Sequence, residues 1–468
     1  MTSQPVPPTD RPVDLVVTGL VRLPPGRWAP GEVWCDAGVV VAVVEGGTEQ
    51  PARRRLSYPG SYLVPGAVDA HVHAYSASTE GLLAATSAAA AGGVTTVIEM
   101  PYDEAAPIND AARVIAKTGI VEREAVVDVG LLGTLAPGGG WREAAAMVDA
   151  GVVGFKLSLY HTHPVRFPRI GHLDMLASMA EIRDAGSTLC VHAEDDEIVR
   201  DLAADPSRAS SDGWQAHGAS RPPIAETLGT LTALELAAEQ GVRVHICHAS
   251  LPRVVDLVTW YRGQGVDASV ETCPHYLAFS EDDMAEQGAR LKINPPMRPV
   301  EAVEGLWQRL GAGDVAVVSS DHAPWVVAQK TRTPFLANAS GAPGIETLLP
   351  ATLGLALRRD PSGRLFDAAL DALTIGPARR YGLDARKGSL EPGKDADLVV
   401  LTPDPDAVLD EATLHSNAGW SPFHGRALGA RVALTVNRGT VVWDAATGEV
   451  GPAGGGLLVT RPPVPRPR

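Results

Sequence analysis

Val68-Asp69-Ala70-His71-Val72-His73, directly behind the apolar segment Tyr62-Leu63-Val64-Pro65-Gly66-Ala67, decides how this chain is read. Side chains on an extended strand alternate with a period of two, so His71 and His73 point to one face and can hold a metal ion together. Asp69 falls on the same face. His-x-His alone equally describes two histidines on a wet strand edge, so the company further along the chain carries the weight. His192 and His248 each end an apolar run, Asp321 ends another, and Lys156 follows Val152-Val153-Gly154-Phe155. Each stands where an expected strand stops.

Eight short apolar runs share this texture, at 67–73, 95–100, 125–132, 152–157, 188–192, 243–248, 267–271 and 315–321. Between them the pattern predicts helices over 80–91, 141–150, 173–185, 225–240, 252–262 and 300–310, several closed by a glycine just past the last turn. Eight strand-helix units in roughly 320 residues is the arithmetic of an α/β fold, the (β/α)₈ TIM barrel, whose active site forms at the carboxyl ends of the strands. The metal-ligating residues occupy those ends. Outside this region the texture is β, with Leu15-Val16-Val17, Val33-Trp34-Cys35 and 39–44 early in the chain and 398–401, 431–436 and 440–443 late in it. The expected organisation is a barrel over 65–385 and one small β-sandwich built from both chain ends, 1–64 and 386–468.

Composition narrows the function. With 468 residues, 45% of them hydrophobic, the chain can bury a large core with a smaller satellite. The Pro-rich 1–12 and Pro/Arg-rich 460–468 read as neither a signal peptide nor a lipidation site, and no run of about 18 apolar residues would span a membrane. A soluble cytoplasmic protein is expected. A net charge of −15 argues against nucleic acid or an anionic membrane as partner. Cys35, Cys190, Cys247 and Cys273 lack Cys-x-x-Cys spacing and read as small buried hydrophobes.

His71, His73, His192 and His248 supply nitrogen donors and Asp321 an oxygen, too many for one four-coordinate zinc and right for two metals sharing a bridge. Lys156 is the expected bridge. A lysine whose pKa is depressed by dications can capture carbon dioxide as a carbamate, an anionic two-oxygen ligand. The plain alternative is a strand-end lysine reaching solvent.

At this point the chain resembles the amidohydrolase superfamily, in its cyclic amidase branch of allantoinases, hydantoinases (dihydropyrimidinases) and dihydroorotases. The resemblance covers nearly the whole length. It is carried by 65–73, by 88–101, by Gly154-Phe155-Lys156, by Val191-His192-Ala193-Glu194 and by Ile246-Cys247-His248-Ala249-Ser250. Further along come Glu271-Thr272-Cys273-Pro274-His275-Tyr276-Leu277, Lys292-Ile293-Asn294-Pro295-Pro296-Met297-Arg298, Ser320-Asp321-His322-Ala323-Pro324 and Ser421-Pro422-Phe423-His424-Gly425. The resemblance implies that His71, His73 and Asp321 bind the more buried of two divalent ions, zinc first, that His192 and His248 bind the other, and that carboxylated Lys156 (N6-carboxylysine) bridges them. It implies that Asp321 acts as base and then acid in opening a ring amide. Asn294, and main-chain groups near Cys273 and Gly344, orient the ring in such enzymes. A homodimer or homotetramer is the assembly it suggests.

Substrate choice follows from departures within the branch. Dihydroorotases usually carry Arg two residues after the second histidine and Asn just after Met-Pro, where this chain has Tyr75 and Tyr102-Asp103, and often end Asp-His-Ala-Pro with His, where it has Trp325. A carboxylate at Asp103 would repel an anionic ring substituent. Hydantoinases place an oxyanion-binding Tyr five residues after the bridging lysine, whereas Tyr160 stands four after Lys156. The Glu271–Leu277 and Ile246–His248 segments look more like allantoinases. A small neutral cyclic ureide or imide is therefore expected, allantoin first, with hydantoinase, dihydropyrimidinase or dihydroorotase activity as alternative. A non-catalytic scaffold and a mononuclear deaminase are the other classes in view; the first would have lost metal ligands, the second would leave Lys156 without a purpose. Among the other histidines, His245 is expected to pack in the core facing away from His248, His275 and His322 to support metal ligands, and His161 and His163 to belong to a lid facing substrate.

Overall fold

The computed structural model describes residues 11–24 and 26–462. The reading of 1–10 and 463–468 as free of leader and lipidation signals lies outside the described residues. Within them, two eight-stranded sheets make up the fold. The first joins both ends of the chain: β1 (Val13–Leu23), β2 (Arg27–Asp36), β3 (Val39–Glu45) and β4 (Ala52–Pro65) are continued by β13 (Leu398–Val408), β14 (Ala427–Asn437), β15 (Thr440–Asp444) and β16 (Glu449–Val450). The join is the antiparallel pairing of β4 with β13, Pro65 opposite Leu398. The sheet curls until β3 bonds back to the residues leading into β13, Val40 N donating to Lys394 O at 2.9 Å and Gly393 N to Val40 O at 2.8 Å. The layers of the expected sandwich are thus two halves of one curled ladder, closed over Leu15, Val17, Val33, Leu63, Leu398 and Leu434.

The second sheet is the barrel. Its strands are β5 (Ala67–Val72), β6 (Val94–Glu99), β7 (Asp128–Gly133), β8 (Gly154–Ser158), β9 (Thr188–His192), β10 (Arg243–Ile246), β11 (Ala268–Thr272) and β12 (Val317–Val318), neighbours in chain order. All pairings are parallel. Nearly every residue on these strands is buried, as expected when helices cover the outer face and side chains fill the interior. Closure between β5 and β12 is made at the top, where His322 N donates to His71 O at 3.2 Å and His73 N to His322 O at 2.9 Å. Asp69 serves this seam, its Oδ1 accepting from Ser320 N at 2.9 Å.

The run at 315–321 forms only two residues of strand, because the chain leaves the sheet before Asp321, which adopts a left-handed φ of 48°. His248 likewise lies past its strand, with φ 39°. Left-handed backbone in residues other than glycine is disfavoured and persists where surrounding structure imposes it. The expected helices appear as Gly81–Ala91, His172–Asp184, Pro223–Gln240, Pro252–Gly263 and Val300–Gly311, while 141–150 divides into a 3₁₀ turn, Gly140–Glu143, and a helix, Ala144–Asp149. Gly241, at φ 67°, ends Pro223–Gln240 in the left-handed conformation that glycine adopts without strain. Helices that the pattern did not predict include Ala111–Glu124, Leu348–Arg359 and Arg364–Leu373, with Asp196–Ala204 and Gln215–Ser220 in the connection after β9.

Tyr381 and Leu383, with Val68, Ile98 and Val317, plug the foot of the barrel. Beside them Lys387, buried, ties barrel to curled sheet through Asp128 (2.5 Å), Asp397 (2.7 Å) and Asp395 (2.9 Å). Among the described residues no helix is long and apolar enough to cross a membrane.

Candidate metal centre and catalytic cavity

The sequence-predicted ligands converge at the carboxyl ends of the barrel strands. His71 Nε2 and His73 Nε2 lie 3.3 and 3.7 Å from Asp321 Oδ1. His192 Nδ1 lies 3.0 Å from His248 Nε2, and the His71 and His248 rings are 5.3 Å apart. Lys156, in the middle of β8, is 1% exposed, so it does not reach solvent, and its Nζ has no hydrogen-bond partner among the described residues. Burial works to lower its pKa, the nearby Cys247 and Glu271 work to raise it, and the balance is a raised value.

Two buried carboxylates fix the orientation of the histidines. Glu271 is acceptor-only when ionised, so His71 must donate from Nδ1 (2.6 Å), which leaves the Nε2 lone pair facing Asp321. His192 Nε2 donates to Glu194 at 2.8 Å, which turns the Nδ1 lone pair toward His248 Nε2 at 3.0 Å. Burial opposes ionisation of both acids. His71 and His245 nonetheless hold Glu271 well below the usual range, and Arg221 with His192 brings Glu194 to about 2. Burial pushes His71 down to about 4, with the Lys156 charge adding to it, and lowers His73, His192 and His248 as well. Neutral imidazoles are the form that binds metal. Burial raises Asp321 well above an ordinary carboxylate, helped by Glu271 and Asp69.

Glu271 and Glu194 stand inside quoted motifs but were not read as site residues. Glu194 was within reach, since it shares a period-two face with His192. Glu271 meets His71 only through closure of the barrel. His245 corrects an expectation: it does not turn away from the centre but reaches Glu271 Oε2 at 3.1 Å, its other nitrogen on Ser269 Oγ at 2.7 Å. Alternation between His245 and His248 fails because His248 has left the strand. His322 supports the centre through its backbone, its ring pointing to Glu80 (3.3 Å) and Gly344 N (3.2 Å). His275 is buried with Nε2 unpartnered.

A cavity of about 360 Å³ opens over these groups. Of the expected substrate-binding residues, Asn294 and Tyr160 line it, Asn294 Oδ1 being buried and unpartnered, and Tyr160 carrying the Arg221 guanidinium over its ring at 4.4 Å. Asp103 does not line it. The helix Ala111–Glu124 brings buried Lys117 to Asp103 at 2.6 Å, so that carboxylate is neutralised off the cavity. Cys273 and Gly344 are also outside the lining; Cys273 is buried with Sγ 3.9 Å from Ser319 Oγ. All four cysteines are free and buried. The loop after β8 does face the cavity, through Tyr160, Thr162, His163, Arg166 and Phe167, the last stacked on Tyr102 at 3.8 Å; His161 is not part of the lining.

Among the described residues, three groups of side chains stand close enough to share an ion: His71, His73 and Asp321; His71, Cys247 and Glu271; and Asp128, Asp395 and Asp397. Lys387 fills the third. In the second, Glu271 already accepts the Nδ1–H of His71. The first keeps its lone pairs free. Residues 62–442 match the amidohydrolase family. The chain belongs to the amidohydrolase family. This amidohydrolase is 38% identical over 451 residues to an allantoinase of Rubrobacter xylanophilus, covering 94% of this chain and 96% of that one. It is 36% identical over 395 residues to a dihydroorotase of Halobacterium salinarum, covering 82% and 87%. Among solved structures, an L-hydantoinase (dihydropyrimidinase) from Arthrobacter aurescens superposes with a TM-score of 0.89 at 31% identity, covering 96% of this chain and all of that one. This amidohydrolase is thus a hydrolase of the cyclic amidase branch, and the barrel, the curled terminal sheet and the grouping of metal-ligating side chains agree with that placement.

Proposed function

We propose that this enzyme is a binuclear metal hydrolase that opens the ring amide of a small cyclic ureide, allantoin first. The observation that carries the reading is Lys156, a buried amine without a hydrogen-bond partner among the described residues, lining the same cavity as His71, His73, Asp321, His192 and His248. The donor set fits two divalent ions, zinc first. Glu271 and Glu194 have already placed the protons of His71 and His192 on the far ring nitrogens. His71, His73 and Asp321 would hold one ion and His192 and His248 the other, with Lys156 carboxylated between them. Bound there, such ions supply an ionised hydroxide at neutral pH and polarise the ring carbonyl.

The chain's own groups do the rest. Asp321 receives the proton released on attack and returns it to the departing ring nitrogen, one carboxylate working as base and then acid. Asn294 and Tyr160 orient the ring, and the loop carrying Phe167 and Arg166 excludes water. Allantoin is favoured by the 38% identity to an allantoinase and by Tyr75 and Trp325 at positions where dihydroorotases differ. Asp103 no longer contributes to that argument, since Lys117 neutralises it. The division at 64/65 and 385/386, a cytoplasmic setting and assembly as a homodimer or homotetramer belong to the same proposal. Leu173, Ile224 and Leu228, exposed on two helices, offer apolar surface for such an assembly.

The test is ring opening of allantoin, hydantoin, dihydrouracil and dihydroorotate by one metal-loaded preparation, with metal content per chain measured alongside. Two ions per chain and the highest kcat/KM on allantoin are expected. A higher value on dihydroorotate would overturn the substrate assignment, and full activity with one ion per chain the binuclear one.

A further inference from the structure

The connection after β8 returns on itself in a short turn, His163 N donating to Phe167 O at 3.0 Å and Phe167 N to His163 O at 3.2 Å. Its base is held by Asp196, whose Oδ1 accepts from His161 N at 2.9 Å. Its far side is held by Phe167, stacked on Tyr102 with ring centroids 3.8 Å apart. The turn so fixed forms part of the wall of the catalytic cavity, to which it contributes His163 and Arg166.

The fold does not use up either side chain. Arg166 is half-buried, and its one side-chain hydrogen bond among the described residues runs from Nη1 to Ser76 O at 3.1 Å. Ser76 in turn holds its Oγ 3.0 Å from His73 Nδ1, so the guanidinium lies one residue away from a candidate ligand. Nε and Nη2 make no such bond, and neither is among the unpartnered atoms sealed from solvent. Glu104 feels the Arg166 charge, but its carboxylate takes Ser78 N at 2.7 Å instead. His163 Nδ1 accepts from Val165 N at 3.2 Å and from Arg166 N at 3.1 Å. A nitrogen that accepts from two amides carries no proton, so the proton of this ring sits on Nε2, a donor without a partner among the described residues. Nε and Nη2 make up one edge of the guanidinium, a fork that fits the lone pairs of an oxygen acceptor.

We propose that Arg166 and His163 are specificity residues whose free donors bind an oxygen acceptor on the substituent of the ring, the ureido carbonyl where allantoin is the substrate. The inference rests on the ring-opening reading above and deepens it, since Asn294 and Tyr160 are there assigned to the ring and nothing to what the ring carries. A ring without a substituent leaves the fork facing water and gains nothing from it. A site built to bond a polar group discriminates against the analogue that lacks it, because its own donors then go unmet.

The experiment is steady-state kinetics on rings that differ only in their substituent: allantoin, with a neutral ureido group; hydantoin-5-acetate, with a carboxylate; and hydantoin, with none. The metal-loaded parent is compared with Arg166→Met, which removes the fork and keeps an unbranched stem. The second variant is His163→Asn, whose side-chain oxygen can still accept from Val165 N and Arg166 N while the Nε2 donor is gone. In Arg166→Met the ratio of kcat/KM on allantoin to that on hydantoin should fall at least about tenfold, as loss of a charge-assisted bond requires, and in His163→Asn it should fall by less. An unchanged ratio in either variant overturns the role given to that residue. Equal loss on all three rings overturns both roles and leaves the turn as a cover that only excludes water. A loss on hydantoin-5-acetate without one on allantoin upholds the subsite and overturns allantoin as the substrate, so the two failures are told apart.

Discussion

Replacing Glu271 with Gln removes a charge and almost nothing else, and the contacts of that side chain say how much should follow. Its Oε1 accepts from His71 Nδ1 at 2.6 Å and His248 N at 3.1 Å; its Oε2 accepts from His245 Nε2 at 3.1 Å. The amide oxygen of Gln must keep the position that serves two donors, so the amide nitrogen turns toward His245. That ring can respond by moving its proton to Nδ1, where Ser269 Oγ, at 2.7 Å, can accept it. The buried donors of His71, His248 and His245 then all keep acceptors, and the fold survives. What is lost is the charge assistance of the His71 bond, the difference between about 1.5–3 kcal/mol for a bond to a charged group and about 0.5–1.5 for a neutral one. The loss of about 1–2 kcal/mol agrees with the 10–100-fold fall in metal affinity typical when a carboxylate behind a ligating histidine is removed. Glu271→Ala strands three buried donors at about 1–3 kcal/mol each and should unfold the centre. Retained metal after dialysis against graded chelator, with kcat/KM at saturating metal, measures both. A Glu271→Gln enzyme that holds metal as tightly as the parent would refute the role given to Glu271.

Asp321→Asn should keep the fold and much of the metal while turnover falls about 10²–10⁴-fold, the usual loss for a positioned general base; turnover within a few-fold of the parent would exclude Asp321 as the proton carrier. Lys156→Ala should bind metal weakly and be inactive, with acetate or propionate restoring part of both, whereas Lys156→Arg, whose guanidinium stays cationic and fills the space, should not respond. If added acids leave Lys156→Ala unchanged in metal content, no anionic bridge stands at that position. Burial works to lower the pKa of Lys387, but Asp397, Asp128 and Asp395 outweigh it and raise it above 10.5. Its contribution to stability is therefore complete below 10.5 and lost as pH rises through the folded-state value. Lys387→Met, which leaves those carboxylates unmatched, should reduce unfolding free energy by about 3–5 kcal/mol at pH 7, and the gap to the parent should narrow in alkaline denaturant titrations; a gap constant with pH would show that Lys387 does not act through its charge.

What the sequence discloses, and what it withholds, follows from which forces are local. The eight runs were legible because strands buried on both faces must be apolar throughout, and His71 and His73 because alternation fixes their common face. Alternation stops being a guide where the chain leaves the sheet. His248 and Asp321 both do so in left-handed backbone, which is why His245 was placed on the wrong side and why the eighth strand is shorter than its apolar run. Asp103 was read as facing substrate because the helix Ala111–Glu124 was not foreseen, and that helix carries the lysine that removes Asp103 from the cavity. Glu271 stands 200 residues from His71 in the chain. No periodicity connects them; only the closed barrel does.

The same closure brings motifs far apart in the chain into contact behind the candidate ligands. Arg298, at the end of the stretch beginning Lys292-Ile293-Asn294, bonds Glu226 at 2.9 Å, Ser250 Oγ at 2.9 Å and the carbonyl of Arg221 at 2.8 Å. Arg221 in turn donates to Glu194, which holds the proton of His192 on Nε2. Each link satisfies a group that would be costly to bury alone. The chain of contacts therefore ends at one imidazole, His192, with its Nδ1 lone pair turned toward His248 and the side where the proposed metal would bind. Glu194 must stay ionised to impose that tautomer, and Arg221 keeps it so against the burial that would otherwise protonate it. An acidic protein thus keeps buried arginines next to its catalytic cavity because the neutral form of one imidazole depends on them.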